Sequence, residues 1–132
     1  MLEESIGLAL RDASRRLTAH YDRALAPAGI SLAQLALMRI IGTHEPSALG
    51  PLAMVAGLDR STLGRNVRVL KRLGLVTIRP GADLRQAELR LSEAGRATLG
   101  RATLLWAEAE ADVRQRLGAA GVTQLTVLLA EL

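Results

Sequence analysis

A short segment of this chain concentrates arginine and lysine on one face of a predicted helix. Residues 59–74 read DRSTLGRNVRVLKRLG, with five cationic side chains against a single acid. At 3.6 residues per turn, the apolar side chains share one face of that helix: Leu63, Val67 and Leu70. The polar side chains on the opposite face are Ser61, Arg65, Arg68 and Arg72. Guanidinium groups grip phosphate bidentately and pair with the O6 and N7 edge of guanine, so the segment predicts contact with a nucleic acid.

The loop between the two β-type runs that follow offers a second contact with nucleic acid. Residues 81–86 read GADLRQ, a polar, glycine-led tip between the runs LVTIRP and AELRLS. Arg85 at this tip is a candidate for insertion into a narrow, electronegative minor groove. Asp83 could orient Arg85 by a charge-assisted hydrogen bond, although an ordinary turn aspartate is the alternative. Helix and tip together predict a two-part contact with DNA.

Each candidate contact has an expected role on DNA. Phosphate positioning is assigned to Thr62 and Arg72, and minor-groove insertion to Arg85. Base readout is assigned to four further side chains of the helix: Ser61, Arg65, Asn66 and Arg68. The amide of Asn66 is matched to adenine. For the helix taken alone, a plain solvated face is the alternative. The glycine turn before the helix and the hairpin after it favour DNA contact.

Two short helices separated by a glycine turn are expected to position the arginine face. They cover about 48–56 and 60–73, with Gly57 supplying a positive φ and Asp59 capping the second helix. Two helices meeting at such a turn are a helix-turn-helix candidate, and the two β-type runs form a hairpin directly behind it.

Longer helices are predicted on the N-terminal side of this unit. Residues 2–26 form the first, with apolar residues at spacings of three and four. A second begins at Ser31, whose side chain caps the backbone while Gln34 reaches back, and it stops near Gly42.

Two more helices are predicted on the C-terminal side. Ser92 begins a long helix that runs to about Leu117, and after the sequence GAAG, Thr123 caps a short last helix. The expected fold is therefore mainly α with a small β-hairpin wing. It is a winged helix-turn-helix with N- and C-terminal dimerisation helices.

Charge divides the chain in the same way. The net charge is +4, and residues 30–95 hold nine bases against five acids, so the whole excess lies in the middle. The flanking helices carry apolar stripes that a thin lobe could not cover alone. One domain is therefore expected, in which 30–95 is a winged helix-turn-helix DNA-binding lobe and 1–29 and 96–132 are dimerisation helices.

Composition excludes several classes of function. No cysteine is present, which excludes disulfides, thiol redox sensing and cysteine-ligated zinc, and two histidines without close carboxylates make a poor metal site. No nucleophile unit or glycine-rich phosphate loop is recognisable, so neither an enzyme nor a cofactor is expected. No apolar run approaches the roughly 18 residues of a membrane span. The N-terminus lacks a signal layout, so a cytoplasmic protein without membrane contact is expected.

The turn, helix and hairpin resemble those of the MarR family of bacterial winged-helix transcription regulators. The resemblance covers essentially the whole chain in element order, and its most specific parts are LDRSTL at 58–63, LGLV at 73–76, DLR at 83–85 and LSEAG at 91–95. It implies a homodimer with interlocked terminal helices, whose two recognition helices lie about 34 Å apart on a pseudo-palindromic operator. It also implies a repressor of transcription.

The resemblance further implies a small aromatic or phenolic ligand, bound between the dimer helices and the DNA-binding lobe. The candidate pocket residues are the rare polar and aromatic groups of the helices: His20, Tyr21, Arg39, His44 and Trp106. In the alternative interpretation, Tyr21 and Trp106 complete the core or the dimer seam, His20 and His44 are surface or interface groups, and the regulator senses nothing small. A winged helix that docks protein instead of DNA is the remaining rival, which the outward arginine stripe disfavours.

Overall fold

The computed structural model describes residues 4–81 and 86–132, and these form five α-helices and one two-stranded antiparallel hairpin. The elements in chain order are α1 (Ile6–Leu25), a 3-10 turn (Ala26–Ala28), α2 (Leu32–His44), α3 (Leu49–Ala56), α4 (Arg60–Arg72), β1 (Val76–Pro80), β2 (Ala87–Leu91) and α5 (Glu93–Ala130). The predicted fold class, mainly helical with a helix-turn-helix and a small hairpin, is confirmed.

Side chains predicted to cap helices do so at three helix starts. Ser31 forms a capping box, because its Oγ accepts the Gln34 N–H at 3.2 Å and its own N–H donates to Gln34 Oε1 at 2.9 Å. Asp59 Oδ1 accepts the Thr62 N–H at 2.6 Å, and Ser92 caps α5 in the same way. Each cap satisfies an N–H group that the helix leaves without a partner, so these residues fix where α2, α4 and α5 begin.

The structure corrects three predicted helix boundaries. Helix α1 begins at Ile6 rather than at residue 2, because Ser5 caps it and accepts the Leu8 N–H at 3.3 Å. Helix α2 continues past Gly42 to His44. Thr123 does not cap a last helix, since its Oγ1 donates to Ala119 O at 3.1 Å from inside α5. The predicted break in this region is confirmed at Gly118, whose φ of 72° and ψ of 163° are not helical. Helical hydrogen bonding resumes directly after this glycine, so no cap is needed at position 123.

The hydrophobic core is aliphatic and includes the predicted inner face of α4. The exposed fractions of Leu63, Val67 and Leu70 are 0%, 1% and 0%. Side chains of α2, α3 and the hairpin belong to the same cluster: Leu35, Met38, Ile41, Leu52, Val76, Leu89 and Leu91. Burying one such side chain stabilises a fold by about 1.5–3 kcal/mol, so the apolar stripe holds α4 firmly and leaves its other face outward.

The hairpin packs on this core through alternate residues. Val76 pairs with Leu91 and Ile78 with Leu89, and these four side chains belong to the core or pack against it. The loop after α2 extends the same sheet, because Ser47 O accepts the Leu89 N–H at 2.8 Å and the Ser47 N–H donates to Leu89 O at 3.3 Å. The loop, the hairpin and α4 therefore form one packed unit.

The helices at both ends carry large apolar side chains that their own chain leaves exposed. On α1 and α5 and just beyond α5 these are Ile6, Leu8, Leu17, Leu104, Leu117, Leu125, Val127, Leu128, Leu129 and Leu132. Among residues 4–81 and 86–132, the buried hydrophobic side chains outside 30–95 are few: Tyr21, Leu25, Ala102 and Ala109. The terminal helices therefore present apolar surface on a scale that usually marks a protein contact.

No single helix in the described part of the chain is long and apolar enough to span a membrane. One bent pair, Ile6–Ala28 with Leu32–His44, reaches the required length and composition only when its two helices are taken together, and these meet at 68°.

Candidate nucleic-acid interface

The face of α4 that turns away from the core carries the predicted DNA contacts. Its exposed side chains are Ser61, Arg65, Asn66, Arg68, Lys71 and Arg72, and Thr62 is partly buried. Three ion pairs occur within residues 4–81 and 86–132: Arg15–Asp12, Arg96–Glu45 and Arg114–Glu110. None of them involves α4. Within these ranges the guanidinium groups of α4 carry no counter-charge, which suits contact with an external anion.

Hydrogen bonds at the start of α4 organise the side chains beside the first of these arginines. Asp59 accepts from the Ser61 hydroxyl at 3.3 Å, and Thr62 Oγ1 accepts from the Arg65 guanidinium at 3.3 Å. The backbone hydrogen bond from Thr62 lowers the pKa of Asp59, and the Ser61 hydroxyl and the Arg65 charge add to this effect. Asp59 is thus ionised at neutral pH, and its carboxylate both caps α4 and orients the residues next to it.

The predicted minor-groove contact of the hairpin falls on residues outside the described ranges. Asp83 and Arg85 lie within 82–85, between Gly81 and Gln86. The flanking backbone is described, and there the Gly81 N–H donates to Gln86 O at 2.7 Å. The roles of Asp83 and Arg85 therefore rest on the sequence and stay predictions.

Two cationic residues of α4, Arg60 and Lys71, were not among the predicted contacts. Arg60, the first residue of α4, lines a cavity of about 280 Å³ together with the start of α3 and with Gln86 and Ala87 at the base of the hairpin. Periodicity did not select Arg60 because it stands off the stripe that runs from Ser61 to Arg72. Its signals in the sequence were its share in the cationic excess of the segment and its place in the LDRSTL motif of the family resemblance.

The predicted ligand-pocket residues fall into two separate places, of which the first is on α2, beside the contact that Arg39 makes with α5. Arg39 and His44 line one cavity of about 370 Å³. Arg39 also lies over the ring of Trp106, with 5.8 Å between its Cζ and the ring centroid. Trp106 does not line this cavity, so its part in this contact is to hold the Arg39 guanidinium in place.

The second place joins α1 to α5 and holds His20 and Tyr21. The Tyr21 hydroxyl donates to the Glu110 carboxylate, and His20 Nε2 lies 3.3 Å from Ala109 O. Burial, and then the hydrogen bond to Glu110, raise the pKa of Tyr21 to about 12, so the phenol stays neutral and keeps its proton. This geometry fits the alternative in which Tyr21 completes a contact between helices.

A second cavity adjoins the first and lies between α2 and α5, where Leu99 and Thr103 complete its lining. It measures about 340 Å³, shares Arg39 and Thr43 with its neighbour, and adds Glu45 and Arg96 to the lining. Within residues 4–81 and 86–132, no group of three or more histidine, aspartate or glutamate side chains could hold a metal ion. Glu45 already holds Arg96, so the second cavity offers the Arg39 guanidinium and the Thr43 and Thr103 hydroxyls, which suit an anionic or hydrogen-bonding organic ligand.

Solved structures share this architecture over nearly the whole chain, although no protein-family sequence model and no curated protein sequence matches it. The M. tuberculosis transcriptional regulator MosR in complex with DNA is 35% identical, covers 97% of this chain and 95% of its own, and gives a TM-score of 0.82. The transcriptional repressor CouR on a 23-mer DNA duplex is 27% identical, with 98% and 93% covered and a TM-score of 0.89. CouR has also been solved with p-coumaroyl-CoA. A MarR-family transcriptional regulator from Rhodococcus sp. RHA1 has the same fold at 22% identity, with 98% and 92% covered and a TM-score of 0.80. The chain belongs to the MarR family of winged-helix transcriptional regulators.

Membership of the MarR family gives each element of the middle segment a name. Helices α3 and α4, with the turn at Gly57, are the helix-turn-helix, and the β1–β2 hairpin is the wing. Helix α4 is then the recognition helix, the element that enters the major groove in helix-turn-helix proteins. The resemblance inferred from the segments at 58–63, 73–76 and 91–95 is confirmed.

Proposed function

We propose that this MarR-family protein is a homodimeric repressor that binds a pseudo-palindromic DNA operator and leaves it when a small aromatic or phenolic effector binds. The observation that carries the proposal is the row of exposed guanidinium groups on α4, which form no ion pair within residues 4–81 and 86–132. The assigned contacts are Ser61, Arg65, Asn66 and Arg68 on bases, Thr62 and Arg72 on phosphates, and Arg85 in the minor groove with Asp83 orienting it. MosR and CouR, which are 35% and 27% identical to this chain, were both solved in complex with DNA.

The exposed apolar side chains of α1 and α5 support the homodimer. We expect a second copy of the chain to bury these side chains, because monomeric proteins seldom expose so many large apolar residues together. Two-fold pairing through 1–29 and 96–132 would leave the lobes at 30–95 free to enter successive major grooves about 34 Å apart. The proposed operator is pseudo-palindromic for that reason.

The cleft between α2 and α5 supports the effector. Arg39 lines both cavities and is held by Trp106, so a ligand with an anionic or phenolic oxygen is the class that fits. CouR, which carries p-coumaroyl-CoA in one of its structures, shows that a relative of this fold accommodates a phenolic compound. The proposal places the protein in the cytoplasm, where chromosomal DNA and such metabolites meet.

Operator affinity is expected to fall steeply with salt. Arg65, Arg68 and Arg72 of each subunit bring six guanidinium groups per dimer to the duplex, and the counterions that these six charges displace imply a loss of about a thousandfold between 50 and 200 mM salt. Fluorescence anisotropy with the labelled intergenic duplex upstream of the gene measures this slope, and titration of phenolic acids into the complex tests release. An affinity that stays flat with salt would favour the rival function, in which the winged helix docks a protein.

Arg85 in the wing is expected to strengthen operator binding without contributing to the stability of the fold. Arg85→Ala removes the proposed minor-groove contact and should weaken binding to the same duplex about tenfold. Arg11→Ala, which removes an equal charge from an exposed site on α1, is the matched control and should leave affinity within about twofold. Circular dichroism and light scattering check that helicity and dimer mass are unchanged. Equal affinity of the Arg85 variant and the wild type would remove the wing from the mechanism.

A further inference from the structure

A closed ring of polar contacts joins the DNA-binding lobe to the start of α5. Glu45, in the loop after α2, uses both carboxylate oxygens: Oε2 accepts the Leu91 N–H at 2.7 Å, and Oε1 accepts from the Arg96 guanidinium at 2.5 Å. A second N–H of Arg96 donates to Leu91 O at 2.7 Å. The three residues come from the loop after α2, from strand β2 and from helix α5. We call this ring the Glu45–Arg96 clasp.

The clasp differs from the other ion pairs in what it connects. Of the ion pairs within residues 4–81 and 86–132, Arg15–Asp12 and Arg114–Glu110 each lie on one helix, whereas Glu45–Arg96 links separate elements. The Glu45 side chain is only 16% exposed, so its charge is partly desolvated and its hydrogen bonds are stronger than those of a surface pair. Loss of Arg96 would leave this carboxylate without its counter-charge.

The clasp lies at the point where the DNA-binding lobe joins helix α5. Strand β2 leads through Ser92 directly into α5, which runs without a break from Glu93 to the kink at Gly118 and carries the exposed apolar residues of the C-terminal half. The loop that holds Glu45 also pairs with β2 at Ser47 and continues into α3, the first helix of the helix-turn-helix. Gly95 also packs on the Leu75 backbone and Ala102 belongs to the core cluster, so the clasp would adjust the angle between the recognition helix and α5 within these contacts, while the lobe itself stayed folded.

We propose that Glu45 and Arg96 are positioning residues, which set the angle between each DNA-binding lobe and α5 and thereby the half-site spacing that the dimer accepts. The inference rests on the proposed function, because it needs a dimer on a two-part operator. Binding of the second lobe is intramolecular once the first lobe is bound, and its strength depends on whether the two half-sites match the distance between the recognition helices. A fixed joint selects one spacing, whereas a loosened joint tolerates several at lower affinity.

The experiment selects duplexes from a library in which a random core is flanked by constant ends. Wild type, Arg96→Ala, and the control Arg101→Ala are each taken through selection, and the enriched motifs are sequenced. Arg101 is a suitable control because it lies on the same helix and donates to Pro27 O at 2.9 Å, a contact that does not reach the lobe. Affinities are then measured for a single half-site, for the preferred full site and for full sites with one base pair added or removed.

The expected result separates positioning from stability. Arg96→Ala should enrich the same half-site as the wild type but with several spacings, and should bind the preferred full site about tenfold more weakly with unchanged half-site affinity. Arg101→Ala should keep the single spacing. If Arg96→Ala folds poorly, Glu45→Gln serves instead, because the amide oxygen still accepts the Leu91 N–H while the charge is lost, and the same shift in spacing is expected.

Other outcomes overturn the inference in distinguishable ways. A folded Arg96→Ala or Glu45→Gln variant that keeps the single spacing shows that the clasp does not set it. Equal loss on half-sites and full sites shows that the clasp supports the interface of one lobe rather than the angle between lobes. No enriched motif with the wild type would instead overturn the proposed DNA-binding function, and this inference with it.

Discussion

Replacing Gly95 by alanine is expected to destabilise the protein by more than about 3 kcal/mol, because overpacking normally costs 1–3 and here the obstacle is backbone. A Cβ on Gly95 would lie 2.0 Å from Leu75 O and 3.0 Å from Leu75 C. That carbonyl cannot move aside freely, since it accepts the Ser92 N–H at 3.0 Å, and Leu75 itself is buried. The wing and the start of α5 would therefore separate. Urea unfolding followed by circular dichroism measures the loss.

Gly100→Ala is the matched control for this prediction. Gly100 lies on the same helix, and nothing stands within 4 Å of the position its Cβ would take. Alanine is the better helix former by about 1 kcal/mol, so this variant should be slightly more stable than the wild type. Similar unfolding midpoints for the two alanine variants would contradict the close approach of α5 to Leu75.

The double variant Arg65→Ala/Arg68→Ala is expected to lower operator affinity about a thousandfold or more. Each well-placed base contact contributes roughly 1–3 kcal/mol, and a dimer loses both contacts twice. Stability should change little, because both side chains are exposed and form no ion pair within residues 4–81 and 86–132. Removing the like charges at successive turns could even stabilise α4 slightly. Anisotropy with the operator duplex measures the affinity.

The control for the double variant removes the same charge elsewhere. Arg11→Ala/Arg16→Ala takes two exposed arginines from α1, which lies outside the lobe. If non-specific attraction were all that drew the protein to DNA, the two double variants would lose affinity alike, because net charge alone would matter. A near-normal affinity for the α1 variant and a collapse for the α4 variant would locate the contact on the recognition helix.

Local patterns in the sequence predicted the recognition helix and its support well. The apolar stripe of α4, the cap at Asp59 and the capping box at Ser31 each depend on residues within one or two helical turns, and all are confirmed. Such features follow from helix periodicity and from the unsatisfied N–H groups of a first turn. The family resemblance is confirmed for the same reason, since its motifs are local as well.

Contacts between distant segments could not be predicted from the same patterns. Glu45 and Arg96 lie 51 positions apart, and no periodicity brings them together. The five candidate pocket residues were grouped by their chemistry, yet packing sends His20 and Tyr21 to the α1–α5 contact and leaves Arg39 near Trp106. The cap expected at Thr123 failed because the chain regains helical geometry sooner than composition suggests.

The torsion angles of Gly118 limit how the end of this chain can vary. A φ of 72° with a ψ of 163° belongs to a region that essentially only glycine occupies, and nothing within 4 Å would oppose a Cβ there. The restriction is therefore torsional, and neighbouring residues cannot relieve it by repacking. A side chain at this position would therefore favour helical torsion angles and a straighter course for residues 119–132.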